Sequence, residues 1–335
     1  MPPRASDGRF FACADPDASL LETLAALDPT NPFITPGFVR YRAGSGGRVT
    51  PWVVGVDTGT QLLSGCIGYL HRDVLPWSNM LEIHSFEARC MLWPGFWEAL
   101  LRFCQQQKVK KLSIQSFGSA PVSLPSGPVR VDHSTRHEYV MSLTDFPGLD
   151  ALASNHRRNA KRAERKGIVF GLPTGTSAAR THASLMGLSD SRRRSRGEAM
   201  GSGDASNTIE RLLEAAAGQV FQAREGGTVL SSILVLRARE GAYYHSAGTS
   251  PEGMQTGASH LLISRVAEHF RDEGFKVFNL GGADSEGLVR FKQGFGATEV
   301  SLEAATYFTG NWLSGAMDRM KGRVKRGLGT SSSIV

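Results

Sequence analysis

Between residues 157 and 166 the sequence sets six cations, Arg157, Arg158, Lys161, Arg162, Arg165 and Lys166, relieved only by Glu164. On an α-helix these six occupy one half of the circumference, while His156, Ala160 and Ala163 occupy the other. Cations at that density repel one another, and a phosphate-bearing partner would relieve them; a solvated face beside a small-residue packing stripe is the alternative. A second stretch, Ser246 to Ser259, is rich in glycine and small residues and lies between a strand and a long helix. Unpaired backbone N–H groups and the helix dipole favour an anion there, with Gly257, Ala258 and Ser259 the candidate contacts. The third runs from Asn279 to Gly296, where a strand ends in Gly281-Gly282 and a short helix follows. Phe291 and Phe295, four apart, anchor that helix and fix the backbone around Lys292.

Hydrophobic periodicity supplies the elements that must position these groups. Residues 51–56 and 62–70 predict a hairpin, 80–84 a short strand, 94–107 a helix, and 111–117 and 139–143 further strands. Residues 118–135 read as loop. In the second half, helices are predicted near 151–167, 177–189 and 208–217, and Ser191–Ser206 reads as a loop rich in Arg, Gly and Ser. Strands follow at 219–224, 228–238 and 242–246, a long helix at 257–272, and strands at 276–280 and 299–307. Both halves thus give antiparallel strands, a helix, then more strands. The expectation is a duplicated α+β unit with a mixed, mainly antiparallel sheet in each half: residues 1–150, residues 151–310, and a basic amphipathic tail over 311–335. A doubly wound sheet needs strict strand–helix alternation, which residues 219–246 lack.

The chain has 335 residues, 41% of them hydrophobic and 21% charged, and a net charge of +7. That composition excludes a mostly disordered chain. Residues 151–200 alone carry a net +8 and residues 311–335 a net +4, leaving −5 for the remainder, so an anionic partner is met locally. The N-terminus lacks the apolar stretch of a signal peptide and no apolar run is long enough to span a bilayer, so the expected location is cytoplasmic. The four cysteines show no C-x-x-C pairing and read as buried thiols. His133 and His137 lie four apart where the chain reads as loop running into strand, a poor ligand pair, and no metal is expected. The loops and elbows of NTPases, serine hydrolases and zinc proteases are missing. The stripe Trp312, Leu313, Ala316, Met317, Met320 and Val324 either packs back on the domain or, over 311–328, meets an anionic membrane at the inner face.

Arg157, Asn159, Ala163 and Gly167 match an R-x-N … A-x-x-x-G pattern, and Phe291, Lys292, Phe295 and Gly296 match Phe-Lys-x-x-Phe-Gly after a Gly-Gly turn. In this order they resemble the FemAB-type transferases and BioF-like acetyltransferases of the GNAT superfamily, over about residues 150–310. The resemblance implies two tandem GNAT-like domains and transfer of an activated acyl group, from acyl-CoA or aminoacyl-tRNA, to an amine on an anionic, lipid-linked or other cell-envelope precursor. It implies Lys292 as the cation for the developing charge, with Phe291 shaping its surroundings. Tyr244, His245, Asp284 and Glu286 are the candidate general bases. Arg157, Arg158 and Lys161 would neutralise phosphate, and Gly257, Ala258 and Ser259 would meet the cofactor. Against the acyl-CoA pattern [QR]-x-x-G-x-[GA], centred on Gly257, the chain offers Met254 and Ser259 at the outer positions. The rival from another class is a non-catalytic nucleic-acid-binding protein that uses the helix at 157–166.

Overall fold

The computed structural model describes residues 8–44, 48–72, 79–117, 124–125, 129–195 and 205–309. In chain order the elements are β1 (Arg9–Ala14), α1 (Ala18–Leu27), α2 (Pro36–Ala43), β2 (Val49–Asp57), β3 (Leu62–His71), β4 (Met80–Ile83), α3 (Phe96–Gln106), β5 (Lys111–Gln115) and β6 (Arg130–Ser142). Then come α4 (Ser154–Arg165), β7 (Val169–Gly171), α5 (Gly175–Ser195), α6 (Ala205–Glu214), β8 (Gly218–Glu225), β9 (Thr228–Arg237) and β10 (Gly241–Thr249). The chain continues through α7 (Pro251–Thr256), α8 (Ala258–Asp272), β11 (Val277–Gly282), α9 (Glu286–Gln293) and β12 (Thr298–Phe308).

Two compact units result, one holding residues up to His137 with the segment from Val300, the other Glu138–Glu299. In the first, the strand order is β1-β2-β3-β4-β5-β12. Its first three pairings are antiparallel, β4–β5 is parallel, and β5–β12 is antiparallel. The second repeats the scheme as β7-β8-β9-β10-β11-β6, with β10–β11 the parallel pair. A parallel pair needs a crossover, supplied by α3 in one unit and by α7 and α8 in the other. The duplicated, mainly antiparallel architecture expected from the sequence is therefore present. In each unit the sixth strand is donated by the other half of the chain.

Burial explains the helices. On α8, Leu261, Leu262, Ile263, Val266, Ala267 and Phe270 are all buried against the sheet, and on α3 the buried set includes Phe96, Trp97, Leu100, Leu101 and Cys104. On α4 only His156, Ala160 and Ala163 are buried, the stripe predicted opposite the cations. Small side chains there let α4 lie close against α8. Cys66, Cys90 and Cys104 are buried free thiols and Cys13 is half-buried.

Four local expectations need correction. Residues 130–135 are strand, not loop; their mostly exposed positions gave no apolar alternation to read. The helix expected at 177–189 runs from Gly175 to Ser195, so the supposed loop at 191–206 is helical at its start and again from Ala205, and 196–204 lie outside the described residues. The strand-to-helix stretch after Thr249 contains α7, started by Ser250, whose side chain accepts from the Gly253 N–H, with Pro251 in the first turn. The elements before residue 49, which the periodicity did not mark, are a strand and two helices. The tail over 311–335, with its proposed membrane contact at 311–328, lies outside the described residues.

Candidate functional site: a cavity where two strands part

β10 and β11 pair for only three positions, Gly241 with Val277, Ala242 with Phe278 and Tyr243 with Asn279. Beyond them β10 bulges between Tyr244 and Ser246, and β11 is irregular between Asn279 and Gly282. Strands that diverge leave backbone groups without a ladder, and side chains take over. Lys292, from α9, donates from Nζ to the Leu280 carbonyl at 2.5 Å and to the Gly282 carbonyl. Asn279 donates from Nδ2 to Glu138 Oε2 at 2.7 Å and accepts from the Gly281 N–H at 2.7 Å, which holds Gly281 at φ +71°. The Lys292 side chain is only 6% exposed, and burial lowers its pKa to about 8 against the opposing pull of Glu138 and Asp284. Its ammonium lies 5.8 Å from the centroid of the Tyr244 ring.

Tyr244 is also part of the wall of a cavity of about 350 Å³. Tyr244, Phe291, Ile233, Ile263 and Met254 form apolar walls; Ser189, Arg192, Ser231, Thr249, Ser259 and His260 supply polar ones. Arg192 donates from Nη2 to the Thr249 carbonyl and to Ser189 Oγ, both at 2.9 Å, and the Ser231 and Thr249 hydroxyls bond each other at 2.9 Å. His260 faces the Asn159 side-chain amide across 3.4 Å at Nε2, and its Nδ1 is buried with no hydrogen-bond partner among the described residues. Burial, with help from His156 and Arg162, lowers its pKa to about 4. The cavity therefore carries a guanidinium, a neutral imidazole and hydroxyls, and no carboxylate among the described residues that line it.

Residues 152–293, which build this site, match the acetyltransferase (GNAT) domain family. Over these residues the chain is similar to GNAT domains. Solved structures agree on the fold. FemX superposes with a TM-score of 0.69 at 11% identity, covering 88% of this chain and 96% of that one. The C-terminal DUF2156 domain of an Agrobacterium fabrum protein described as a lysylphosphatidylglycerol synthetase gives 0.55 at 15% identity, covering 92% and 97%. L-PGS from Bacillus licheniformis gives 0.50 at 15%, covering 94% and 98%. No curated protein matches by sequence. The strand scheme is thus GNAT-like in each of the two units, as in FemX, and residues 152–293 are similar to the GNAT domain family. Among the described residues no helix is long and apolar enough to cross a membrane, and no group of three or more His, Cys, Asp or Glu could hold a metal ion.

Within residues 152–293 the residues singled out from sequence separate into three groups. Tyr244, Phe291 and Ser259 line the cavity, whereas Lys292 sits behind Tyr244 and is not part of its wall. Gly257 and Ala258 are buried under α4: Gly257 has φ +84°, and a Cβ there would run into the Asn159 carbonyl. Their backbone is spent on helix packing, which leaves Ser259 as the member of that trio facing the cavity. Of the α4 cations, Arg157 lies 3.7 Å from Asp150, and Arg162 leans toward the Thr256 carbonyl at 3.4 Å. Arg158 and Lys161 are exposed and make no ion pair among the described residues. Asp284 and Glu286 lie on the turn into α9, outside the cavity wall, and Asp284 helps hold the Lys292 charge.

His260 and His182 carried no usable sequence signal, and His156 showed only as part of a packing stripe. His260 is one of two histidines on α8, and its neighbours come from α4 and α9. His156 accepts the close approach of Gly294 and bonds the Phe291 carbonyl through Nε2 at 2.9 Å, tying α4 to α9. His182 on α5 is fully buried between Ser232 Oγ (2.8 Å) and Ser246 Oγ (2.9 Å). Burial, then the neighbouring His245, takes its pKa down to about 3; burial alone takes His245 to about 4. The available hint was the pair of polar positions, Ser231-Ser232 and His245-Ser246, inside otherwise apolar strands.

Proposed function

We propose that this chain is an N-acyltransferase that takes an acyl group from a coenzyme A thioester and passes it to a neutral amine. The observation that carries the reading is the charge of the cavity. An aminoacyl group would bring an ammonium into a space lined by Arg192 and neutral His260, with no carboxylate among the described lining residues to receive it. An uncharged acyl group, flanked by Tyr244 and Phe291, meets no such cost. Transfer needs the carbonyl polarised, the tetrahedral oxyanion stabilised and water kept out. Lys292 supplies a fixed positive charge behind Tyr244 and holds the end of β11 in place; Phe291 and Tyr244 wall the acyl group from solvent. Arg158 and Lys161, on the exposed face of α4, meet the donor's phosphates, with Arg157 beside them, while His156 and Asn159, on another face of the same turns, meet His260. The acceptor is an amine on an anionic molecule of cell-envelope type, a substrate class in keeping with the lysylphosphatidylglycerol synthetase named among the structural relatives.

Calorimetric titration with acetyl-CoA, beside aminoacylated tRNA, tests this. Acetyl-CoA is expected to bind, and the double substitution Arg158→Ser, Lys161→Ser to weaken it about tenfold or more at low salt. Binding of charged tRNA with no heat from acetyl-CoA would move the donor to an aminoacyl ester and overturn the thioester reading. Strongly salt-dependent binding of uncharged nucleic acid, with neither donor engaged, would favour a non-catalytic binder.

A further inference from the structure

Along a regular strand, residues two apart share a face and residues three apart do not. Ala247 and Thr249 of β10 line the cavity beside their β9 partners Ile233 and Ser231. Ser246 lies one position off and turns to the other face, where its hydroxyl meets His182. Counted back from Ala247, strict alternation would turn Tyr244 to that other face as well. Tyr244 lines the cavity instead, because the bulge between Tyr244 and Ser246 inserts His245 and reverses the phase. Its partner on β9 is Val235, which shares a face with Ile233. A bulge beside a site re-aims a side chain in this way. Tyr243, the residue before, makes the last pairing of β10 with β11, so the phenol stands where the two strands part.

The Tyr244 hydroxyl bonds no protein group among the described residues, and it is not one of the polar atoms sealed from solvent, as the Tyr69 hydroxyl is. The hydroxyls of Ser231 and Thr249 satisfy each other, and that of Ser189 is engaged by Arg192. Burial raises the pKa of Tyr244, so the phenol holds its proton and suits a donor, not the general base that the resemblance allowed.

We propose that Tyr244 donates its phenolic O–H to the carbonyl oxygen of the acyl group held in the cavity. This rests on reading the cavity as the acyl site. In the transfer, the amine lone pair forms the N–C bond while the C=O π pair moves onto the oxygen facing the phenol. That pair then returns, the C–S bond breaks, and the departing thiolate takes up the proton lost by the amine nitrogen. Tyr244 keeps its own proton throughout. Lys292 lies outside the cavity wall, yet its ammonium is 5.8 Å from the Tyr244 ring centroid. A cation there favours the negative charge that a phenol gathers as it donates, so Lys292 acts on the carbonyl through the ring.

The test requires no acceptor. Isotope-edited infrared spectra of acetyl-CoA carrying a ¹³C carbonyl, bound to the full chain, should show the C=O stretch displaced to lower frequency than in free acetyl-CoA. In Tyr244→Phe, which keeps the ring and removes only the hydroxyl, the displacement should be lost. Should that variant fail to fold, 3-fluorotyrosine placed at position 244 gives a second reading: its more acidic phenol should enlarge the displacement. Bound acetyl-CoA with an undisplaced carbonyl, an equal displacement in folded Tyr244→Phe, or a displacement unaltered by the fluorine overturns the assignment alone. If acetyl-CoA does not bind, the thioester reading falls and the assignment falls with it.

Discussion

Acidification should unfold this protein through His182, and the size of the effect follows from where that side chain sits. Both of its ring nitrogens are used on serine hydroxyls in a fully buried position, and its pKa lies near 3 in the folded state. In the unfolded chain it returns to about 6.5. Above pH 6.5 the group is neutral in both states and its contribution to folding is fully present. As pH falls below that value the unfolded chain takes up a proton that the folded one refuses, so stability declines until the folded pKa is reached. At about 1.36 kcal/mol per unit, the two units from pH 6.5 to 4.5 remove about 2.7 kcal/mol. His182→Leu abolishes this component and also removes the imidazole partner of the Ser232 and Ser246 hydroxyls, Ser246 keeping only a 3.4 Å contact with His245 Nδ1, at a cost of about 2–4 kcal/mol near neutrality. Wild type should therefore lead the variant by that margin at pH 7.5, and the gap should nearly close by pH 4.5. Urea unfolding followed by far-UV circular dichroism at several pH values reads this directly. Other titrating groups are common to both proteins and drop out of the difference. Parallel stability curves across this range would refute the argument.

Other substitutions probe the site from different sides. Gly257→Ala should cost about 2–4 kcal/mol, since a left-handed backbone and the Asn159 carbonyl both oppose a methyl group there; an unfolding midpoint within error of wild type would contradict the packing of α4 on α8. Lys292→Met should lower turnover about a hundredfold or more while acetyl-CoA affinity stays within about threefold, because its charge acts on the transition state. Unchanged turnover in a working assay would remove Lys292 from the chemistry.

The parts of the structure that sequence revealed are those whose signal is local. The α4 stripe of His156, Ala160 and Ala163 was visible because helical period alone separates it from the cations. Most strands of both halves were visible through alternation; β1, the three-residue β7 and Arg130–Thr135, whose exposed faces erase the pattern, were not. Phe291 and Tyr244 came forward through the motif and strand that hold them. His260 did not, because its setting depends on Asn159 about a hundred residues earlier and on the rings of α9. Gly257 illustrates a harder ambiguity. A glycine at a helix start serves a ligand or a neighbouring helix equally well, and only the approach of α4 decides between them.

The exchange of sixth strands has a bearing on how the chain matures during synthesis. β5 finds its partner in β12, and Ser116 bonds Glu303 across a separation of 187 residues. Until the ribosome has made β12, the first unit has an open strand edge at Lys111–Gln115, the kind of edge that recruits foreign strands. The second sheet has no such wait, because β6 is already translated when β11 emerges. The later half can close its hydrogen-bonded ladder first, and the N-terminal half is completed last. Truncation near the C-terminus would thus be felt most at the beginning of the protein.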